Sequence, residues 1–390
     1  MKLAKRVNEF SESVIREMTR LANQFGAINL GQGMPDFESP QEIKDAACAA
    51  IQKGFNQYSI TWGAPLLREA IAQKMSKFNG ISCDPDKNVT VCCGATECMM
   101  ATMLALIDPG DEVIIFQPFY ENYGPDAIIS GATPRWVHLH PPNWNFDRDE
   151  LQSVFSNRTR AIIINTPNNP TGHIYSREEL EFIAQLCQKY DVLAITDEIY
   201  EYIRYTDQQH ISMATIPGME DRTITISGLS KTFSVTGWRL GYCVAPEAIS
   251  TGIRKAHDFL TVGAPHPLQM AGVAALHFPD SYYEKIRQDY LRRRELFLPY
   301  LRQAGLTVYQ PEGAYYVMTD IASLGWHNDT DFVKEMIQKV GVSAVPGSSF
   351  YSPKDLGRTK VRFMFAKKDE TLHQAGAKLV QLKEKIGIPK

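Results

Sequence analysis

Six apolar runs, separated for the most part by helix-like stretches, constrain this chain more than any other feature. They are "VTVCC" (89–93), "EVIIF" (112–116), "RAIIIN" (160–165), "VLAITD" (192–197), "RTITIS" (222–227) and "LGYCVA" (240–245). Helical patterns fall at 96–107, 121–130 and 176–190, the last opened by a Ser176/Glu179 capping box. Strands that are apolar on both faces need cover on both faces, and intervening helices supply it in a parallel sheet. The pattern predicts an α/β fold built on a largely parallel sheet.

From about residue 281 the texture changes to a long charged helix, short strands at "TVYQ", "YYVMTD" and "KVRFMFA", and two further helices. That is the pattern of a smaller α+β unit. The expected divisions are an N-terminal segment, 1–40, packing on the small domain; a large domain, 41–285; and a small C-terminal domain, 286–390. The arginine triplet 292–294 reads as a solvated helix face. A formal charge of −3 gives no electrostatic footprint for nucleic acid. The first residues lack the apolar core of a signal peptide, and no run reaches the ~18 residues of a membrane span. The seven cysteines follow no disulfide framework. Cys92, Cys93 and Cys98 lie close together, but adjacent cysteines ending a strand suit neither a zinc knuckle nor a redox pair, so no metal is expected. A cytoplasmic protein is the expectation.

In a parallel α/β sheet ligands gather at the carboxyl ends of the strands. Several polar signals fall there. After "VTVCC", Gly94 allows a tight turn, and Ala95 and Thr96 begin a helix whose N–H groups can cradle a phosphate. After "RAIIIN", the stiff turn "TPNNPTG" aims the amides of Asn168 and Asn169. Asp197 ends "VLAITD", with Tyr200 three residues on, and a carboxylate there is costly without a cationic partner. After "RTITIS" come Lys231 and Arg239, eight positions apart: an amine able to attack a carbonyl and a guanidinium able to hold an anion. Each signal has an ordinary alternative, as a helix cap, a turn or a solvated charge. Together they form a set. Pyridoxal phosphate asks for an amine, an anion cradle, a carboxylate for its ring nitrogen, and donors for its phenolate oxygen.

On these residues the chain resembles the class I aminotransferases of the pyridoxal-phosphate fold type I. Seven motifs match in order: "LGQGMPDF", "NQYSITWG", "GDEVIIFQPFYENY", "NTPNNPTG", "ITDEIY", "SKTFSVTGWRLG" and "VRFMFAKKDETL". Within that class it looks most like the kynurenine aminotransferase/glutamine transaminase K group and the bacterial methionine or aromatic aminotransferases. The resemblance implies a mainly parallel seven-stranded sheet in the large domain. It also implies roles. Lys231 would bind the cofactor aldehyde covalently and shuttle the proton, Asp197 would hold the pyridinium, and Asn169 and Tyr200 the phenolate oxygen. Ala95, Thr96 and Arg239 would hold the phosphate, with Tyr120 stacked on the ring. Tyr58 would reach the phosphate from a neighbouring subunit, implying a homodimer with shared active sites. Arg362 would take the substrate α-carboxylate, with Gly33 and Asn169 nearby. The family often has Ser at the position of Gly228; Ser227 and Ser230 flank it, and either hydroxyl could substitute.

The implied activity transfers the amino group of a neutral L-amino acid (methionine, glutamine, aromatic or kynurenine-like) to a 2-oxo acid. A C–S β-lyase or an aspartate-type aminotransferase are the alternatives. No arginine in 257–269 offers itself for a second substrate carboxylate, which favours neutral donors, and the pocket is expected near Ile15, Tyr58, Tyr120 and Tyr315.

Overall fold

The computed structural model describes residues 3–10 and 12–387. In chain order its strands are β1 (Ile28–Asn29), β2 (Val89–Cys92), β3 (Glu112–Gln117), β4 (Thr133–His140), β5 (Asn145–Phe146), β6 (Thr159–Asn165) and β7 (Leu193–Asp197). Then come β8 (Thr223–Gly228), β9 (Gly241–Val244), β10 (Thr307–Tyr309), β11 (Tyr316–Asp320), β12 (Val342–Ser343), β13 (Val345–Pro346) and β14 (Lys360–Met364).

The main sheet runs β2-β9-β8-β7-β6-β3-β4-β5. Pairings from β8 through β7, β6 and β3 to β4 are parallel, as the alternating pattern requires. β9 is antiparallel to both β8 and β2, because no crossover helix separates it from β8. The sheet has eight strands where seven were expected. The excess is the two-residue β5, which turns back antiparallel on β4. β4 escaped the apolar-run criterion because it buries only part of its length, and Pro134, Arg135, His138 and His140 interrupt it.

Strands β2, β3 and β8 are buried throughout. Ile114, Phe116, Ile162 and Ile164 face one apolar core and Val113, Ile115, Ala161 and Ile163 the other, so each strand packs on both sides. Burying each of these valine, isoleucine and phenylalanine side chains contributes roughly 1.5–3 kcal/mol. The helix Arg177–Tyr190 carries the expected capping box: the Ser176 hydroxyl accepts from Glu179 N–H at 3.2 Å, and Glu179 accepts from Ser176 N–H at 2.8 Å.

A second sheet, β10-β11-β14-β13, is antiparallel and lies against the long helix Asp280–Gln303. β1 pairs in parallel with β12 and so ties the N-terminal segment to this region. Of the arginine triplet only Arg292 is exposed as expected; Arg293 and Arg294 turn inward. Arg294 is buried and donates to the Pro311 carbonyl at 2.8 Å, Arg293 donates to the Lys367 carbonyl at 2.9 Å and lies over Phe37, and Arg292 pairs with Asp369. Guanidinium stems cover apolar surface while their planar heads find carbonyls, so a charged helix can carry its inward face on arginine.

Candidate active site

Two successive antiparallel pairings leave β2 parallel to β8, so the carboxyl ends of β2, β6, β7 and β8 share one edge of the sheet. A cavity of about 1060 Å³ opens there. Its wall includes Gly33, Ala95, Thr96, Tyr120, Asn169, Asp197, Tyr200, Lys231 and Arg239.

Asp197 is buried at the end of β7. Its carboxylate accepts from the Tyr123 hydroxyl at 2.7 Å and from Ile199 N–H at 3.2 Å. Burial pushes this carboxyl up from its ordinary value, against the opposing pull of these two donors and the Lys231 ammonium. Lys231 lies in the turn after β8, its Nζ 5.7 Å from the ring centres of both Tyr200 and Tyr315. Tyr200 donates to the Tyr316 hydroxyl at 3.1 Å. Burial raises the Tyr316 phenol, but Lys231, Arg362 and the neighbouring hydroxyls together hold it below its usual value. Tyr120, packed edge-on against Tyr123, is pushed up to about 12 by burial.

The two asparagines of "TPNNPTG" separate. Asn168 turns back into its own loop, accepting from Thr171 N–H at 3.1 Å and the Thr171 hydroxyl at 2.8 Å. Asn169 faces the cavity. Its Oδ1 accepts from Arg362 Nη1 at 2.8 Å, which leaves the amide nitrogen as a donor. Asn165 holds the two strand ends in register, accepting from Asn169 N–H at 2.7 Å and donating to the Asp197 carbonyl at 2.8 Å.

At the β2 end, Gly94 (φ 89°) precedes the helix Ala95–Leu106, whose N-cap supplies no side-chain acceptor. A Cβ at Gly94 would strike the Arg239 guanidinium, and one at Gly241 would lie 2.5 Å from Ala95 N. The open helix N-terminus and Arg239 therefore stand together. Arg239 donates to the Thr236 carbonyl and pairs with no carboxylate among the described residues. Helix N–H groups beside such a guanidinium can hold a phosphate. The two serines flanking Gly228 face different ways. Ser227 donates away from the cavity to Glu201 at 2.7 Å, whereas Ser230 lines the wall. A Cβ at residue 228 would lie 2.9 Å from the Leu240 carbonyl oxygen, so a serine there would crowd the neighbouring strand.

Arg362 is buried just behind the wall. It donates to Asn169 and, at 2.7 Å, to the Gly31 carbonyl, with its guanidinium 4.1 Å from the Tyr316 ring centre. Its Nε has no protein partner. The Gly33 carbonyl accepts from Tyr315 at 3.1 Å, and a Cβ on Gly33 would strike the Tyr316 hydroxyl. Ile15 and Tyr120 line the cavity; Tyr315 lies behind it, and Tyr58 is 83 % exposed and not part of this wall. Arg16 and Lys354 do line it, so cations are available that the segment 257–269 does not supply.

Sequence reasoning missed Tyr123, Asn165 and Tyr316. The first had a signal: Tyr123 closes the same "PFYENY" stretch that supplies Tyr120, although its helix begins only at Tyr123. Away from the cavity, Cys92 and Cys98 meet Cys243, their thiols within 4.8 Å of one another, while Cys93 points to the Gly263 carbonyl.

The aminotransferase class I and II family matches residues 26–379. The methionine aminotransferase of Escherichia coli K12 is 35% identical over 374 residues, covering 96% of this chain and 97% of that one. Human kynurenine–oxoglutarate transaminase 1 is 36% identical over 403 residues, covering 95% and 96%. The solved N-succinyldiaminopimelate aminotransferase of Mycobacterium tuberculosis superposes with a TM-score of 0.95 at 37% identity, covering 98% of this chain and all of that one. With a match of this extent in sequence and fold, and a lysine, a carboxylate and an anion cradle on one cavity, the chain belongs to the class I and II aminotransferases.

Proposed function

We propose that the protein is a pyridoxal-phosphate-dependent aminotransferase that moves the amino group of a neutral L-amino acid to a 2-oxo acid. The observation that carries this reading is the meeting of the Lys231 amine, the buried Asp197 carboxyl and the Arg239 guanidinium on one wall. The donor set fits the cofactor: an open helix N-terminus beside an acid-free guanidinium, a buried carboxyl and an amine, all on one wall. Bound there, pyridoxal phosphate supplies an aldehyde carbon and a ring that withdraws electrons from the reacting carbon.

The chain's residues do the rest. Lys231 would hold the cofactor covalently and carry the proton between substrate Cα and cofactor C4′. Asp197 would keep the ring nitrogen protonated, with Tyr123 fixing the carboxylate. Asn169, through its amide nitrogen, and Tyr200 would donate to the phenolate oxygen. Ala95, Thr96 and Arg239 would hold the phosphate, with Ser230 as the available hydroxyl, and Tyr120 would cover the ring. Arg362 would grip the α-carboxylate in a bidentate pair beside Gly33.

A homodimer completes the site in this reading. Tyr58 and Phe259 are 83 % and 93 % exposed, and Leu260 and Val262 are exposed beside Phe259 at the end of the helix Glu247–Thr261. His257 in that helix and His266 at the start of the next tie it to the segment of Tyr58 through the carbonyls of Thr61 and Gln57. Exposed apolar groups of this size mark a surface made for a partner. Tyr58 would then reach the phosphate of the neighbouring subunit.

Methionine and kynurenine in the names of relatives, and the apolar Ile15 and Phe119 on the wall, support neutral donors. Arg16 and Lys354 favour a second reading, a longer donor ending in a carboxylate, in line with the substrate named for the mycobacterial relative. The test is kcat/KM for methionine, glutamine, phenylalanine, tyrosine, kynurenine, aspartate and an N-succinylated diamino acid, all with one 2-oxo acid. Neutral donors are expected to lead. A clear preference for aspartate overturns the neutral assignment, and a preference for the succinylated donor selects the second reading.

A further inference from the structure

Behind the turn that carries Asp197 and Tyr200 lies a second, closed polar cluster. Residues 197 and 200 face the cavity, whereas Glu198 and Glu201 point to the far side and are 0 % and 2 % exposed. Glu198 accepts from His210 Nε2 at 2.6 Å, the Ser212 hydroxyl at 2.6 Å, the Thr196 hydroxyl at 3.1 Å and Asn79 Nδ2 at 3.2 Å. Glu201 accepts from Lys74 Nζ at 2.6 Å, the Ser227 hydroxyl at 2.7 Å and Asn79 Nδ2 at 2.9 Å. Lys74, itself buried, also donates to Asn79 Oδ1 at 2.8 Å and sits under the rings of Phe78 and Tyr202.

Two carboxylates removed from water cost several kcal/mol each unless their acceptor sites are filled, so a chain rarely buries such a pair without a use for the geometry. Here the donors come from separate parts of the fold. Lys74 ends the helix Pro65–Lys74, Asn79 follows it, His210 and Ser212 lie in the loop after the turn, and Ser227 lies in β8 four residues before Lys231. The Ser227–Glu201 hydrogen bond joins the strand that delivers Lys231 to the turn that delivers Asp197 and Tyr200.

We propose that Glu201, held by Lys74 and Ser227, and Glu198, held by His210 and Ser212, are positioning residues that set the spacing of Asp197, Tyr200 and Lys231. The proposal rests on the assignment of those three residues to the cofactor. Neither glutamate touches the cavity; each acts through the backbone it shares with a cavity residue. A displacement of about 1 Å at reacting groups can cost roughly a hundredfold in rate, so a rigid turn has a kinetic effect separate from its stability.

The test compares Glu201→Gln, Lys74→Met, the double variant and Ser227→Ala with the parent protein. Four quantities are read: the thermal midpoint of the apoprotein, its affinity for pyridoxal phosphate by fluorescence quenching, kcat, and the pH midpoint of the lysine-linked visible band. The single charge variants should lose stability, because each strands a buried charge. The double variant restores charge balance and should recover the midpoint. Its kcat should still fall by at least about tenfold, its cofactor affinity should weaken, and its band should titrate at a shifted pH. Ser227→Ala removes one hydrogen bond without stranding a charge; it should fold like the parent and show the same kinetic and spectral signature more weakly. That variant decides the matter if the charge variants do not fold. Parental kcat, affinity and band midpoint in a folded double variant, or in Ser227→Ala when the double variant does not fold, would mean that the cluster is structural only and overturn the proposal. A parent protein that binds no pyridoxal phosphate at Lys231 would instead refute the underlying assignment.

Discussion

The Tyr123 hydroxyl donates to the Asp197 carboxylate at 2.7 Å, joining the helix after β3 to the end of β7 across 74 residues. This bond favours the ionised carboxylate that burial disfavours. Asp197→Asn is expected to keep the cofactor bound and lower turnover by orders of magnitude, because an amide cannot stabilise a protonated ring nitrogen. Tyr123→Phe should give a milder loss. A hydrogen bond to a charged group contributes about 1.5–3 kcal/mol, or roughly ten- to a hundredfold in kcat. Near-parental kcat in Asp197→Asn would reduce Asp197 to a turn cap.

Lys231→Ala is expected to fold and to bind pyridoxal phosphate noncovalently, without the visible absorbance of the lysine-linked form and with almost no turnover. Borohydride reduction of the parent followed by peptide mapping checks the attachment point. Label on any other lysine displaces Lys231 from its role.

Arg362 reaches Asn169 across 193 residues, so one side chain of β14 serves both the small sheet and the cavity. Arg362→Lys should raise KM for amino and oxo acids by about tenfold or more while the cofactor stays bound, since lysine cannot reproduce the planar two-bond fork. Loss of cofactor with substrate affinity intact in the remaining holoenzyme would contradict this.

Asp126, in the cavity wall, has a buried Oδ2 with no hydrogen-bond partner, and burial raises its carboxyl to about 8. The folded chain therefore keeps a proton that the unfolded chain has released between pH values near 4 and 8. Stability is highest below that window and falls as pH rises through it. Asp126→Asn, which stays neutral, should flatten the decline and exceed the parent by a few kcal/mol at pH 8. Urea unfolding of the apoproteins at pH 5, 6.5 and 8 reads this directly. Parallel pH dependence in parent and variant would show that Asp126 is ionised in the folded chain.

Much of the fold was legible because β2, β3, β6, β7, β8 and β9 are buried on both faces, which writes a strand as a continuous apolar run. β4 and β5 lie at one edge, where half-burial and polar residues erase that signal. The polar residues at the strand ends were legible for a related reason: a parallel sheet brings its carboxyl ends to one edge whatever the loops do. Pairing was not. Tyr123 with Asp197, Arg362 with Asn169 and Ser227 with Glu201 are contacts between distant segments, and their spacing follows no helix or strand period. Direction was not legible either. Arg293 and Arg294 look like solvated charges in a charged helix, yet the carbonyls of Lys367 and Pro311 draw them inward. Local chemistry in the sequence determined which residue types stand at the edge of the sheet. Only packing in three dimensions decided which of them face the cavity, because that depends on partners far away in the chain.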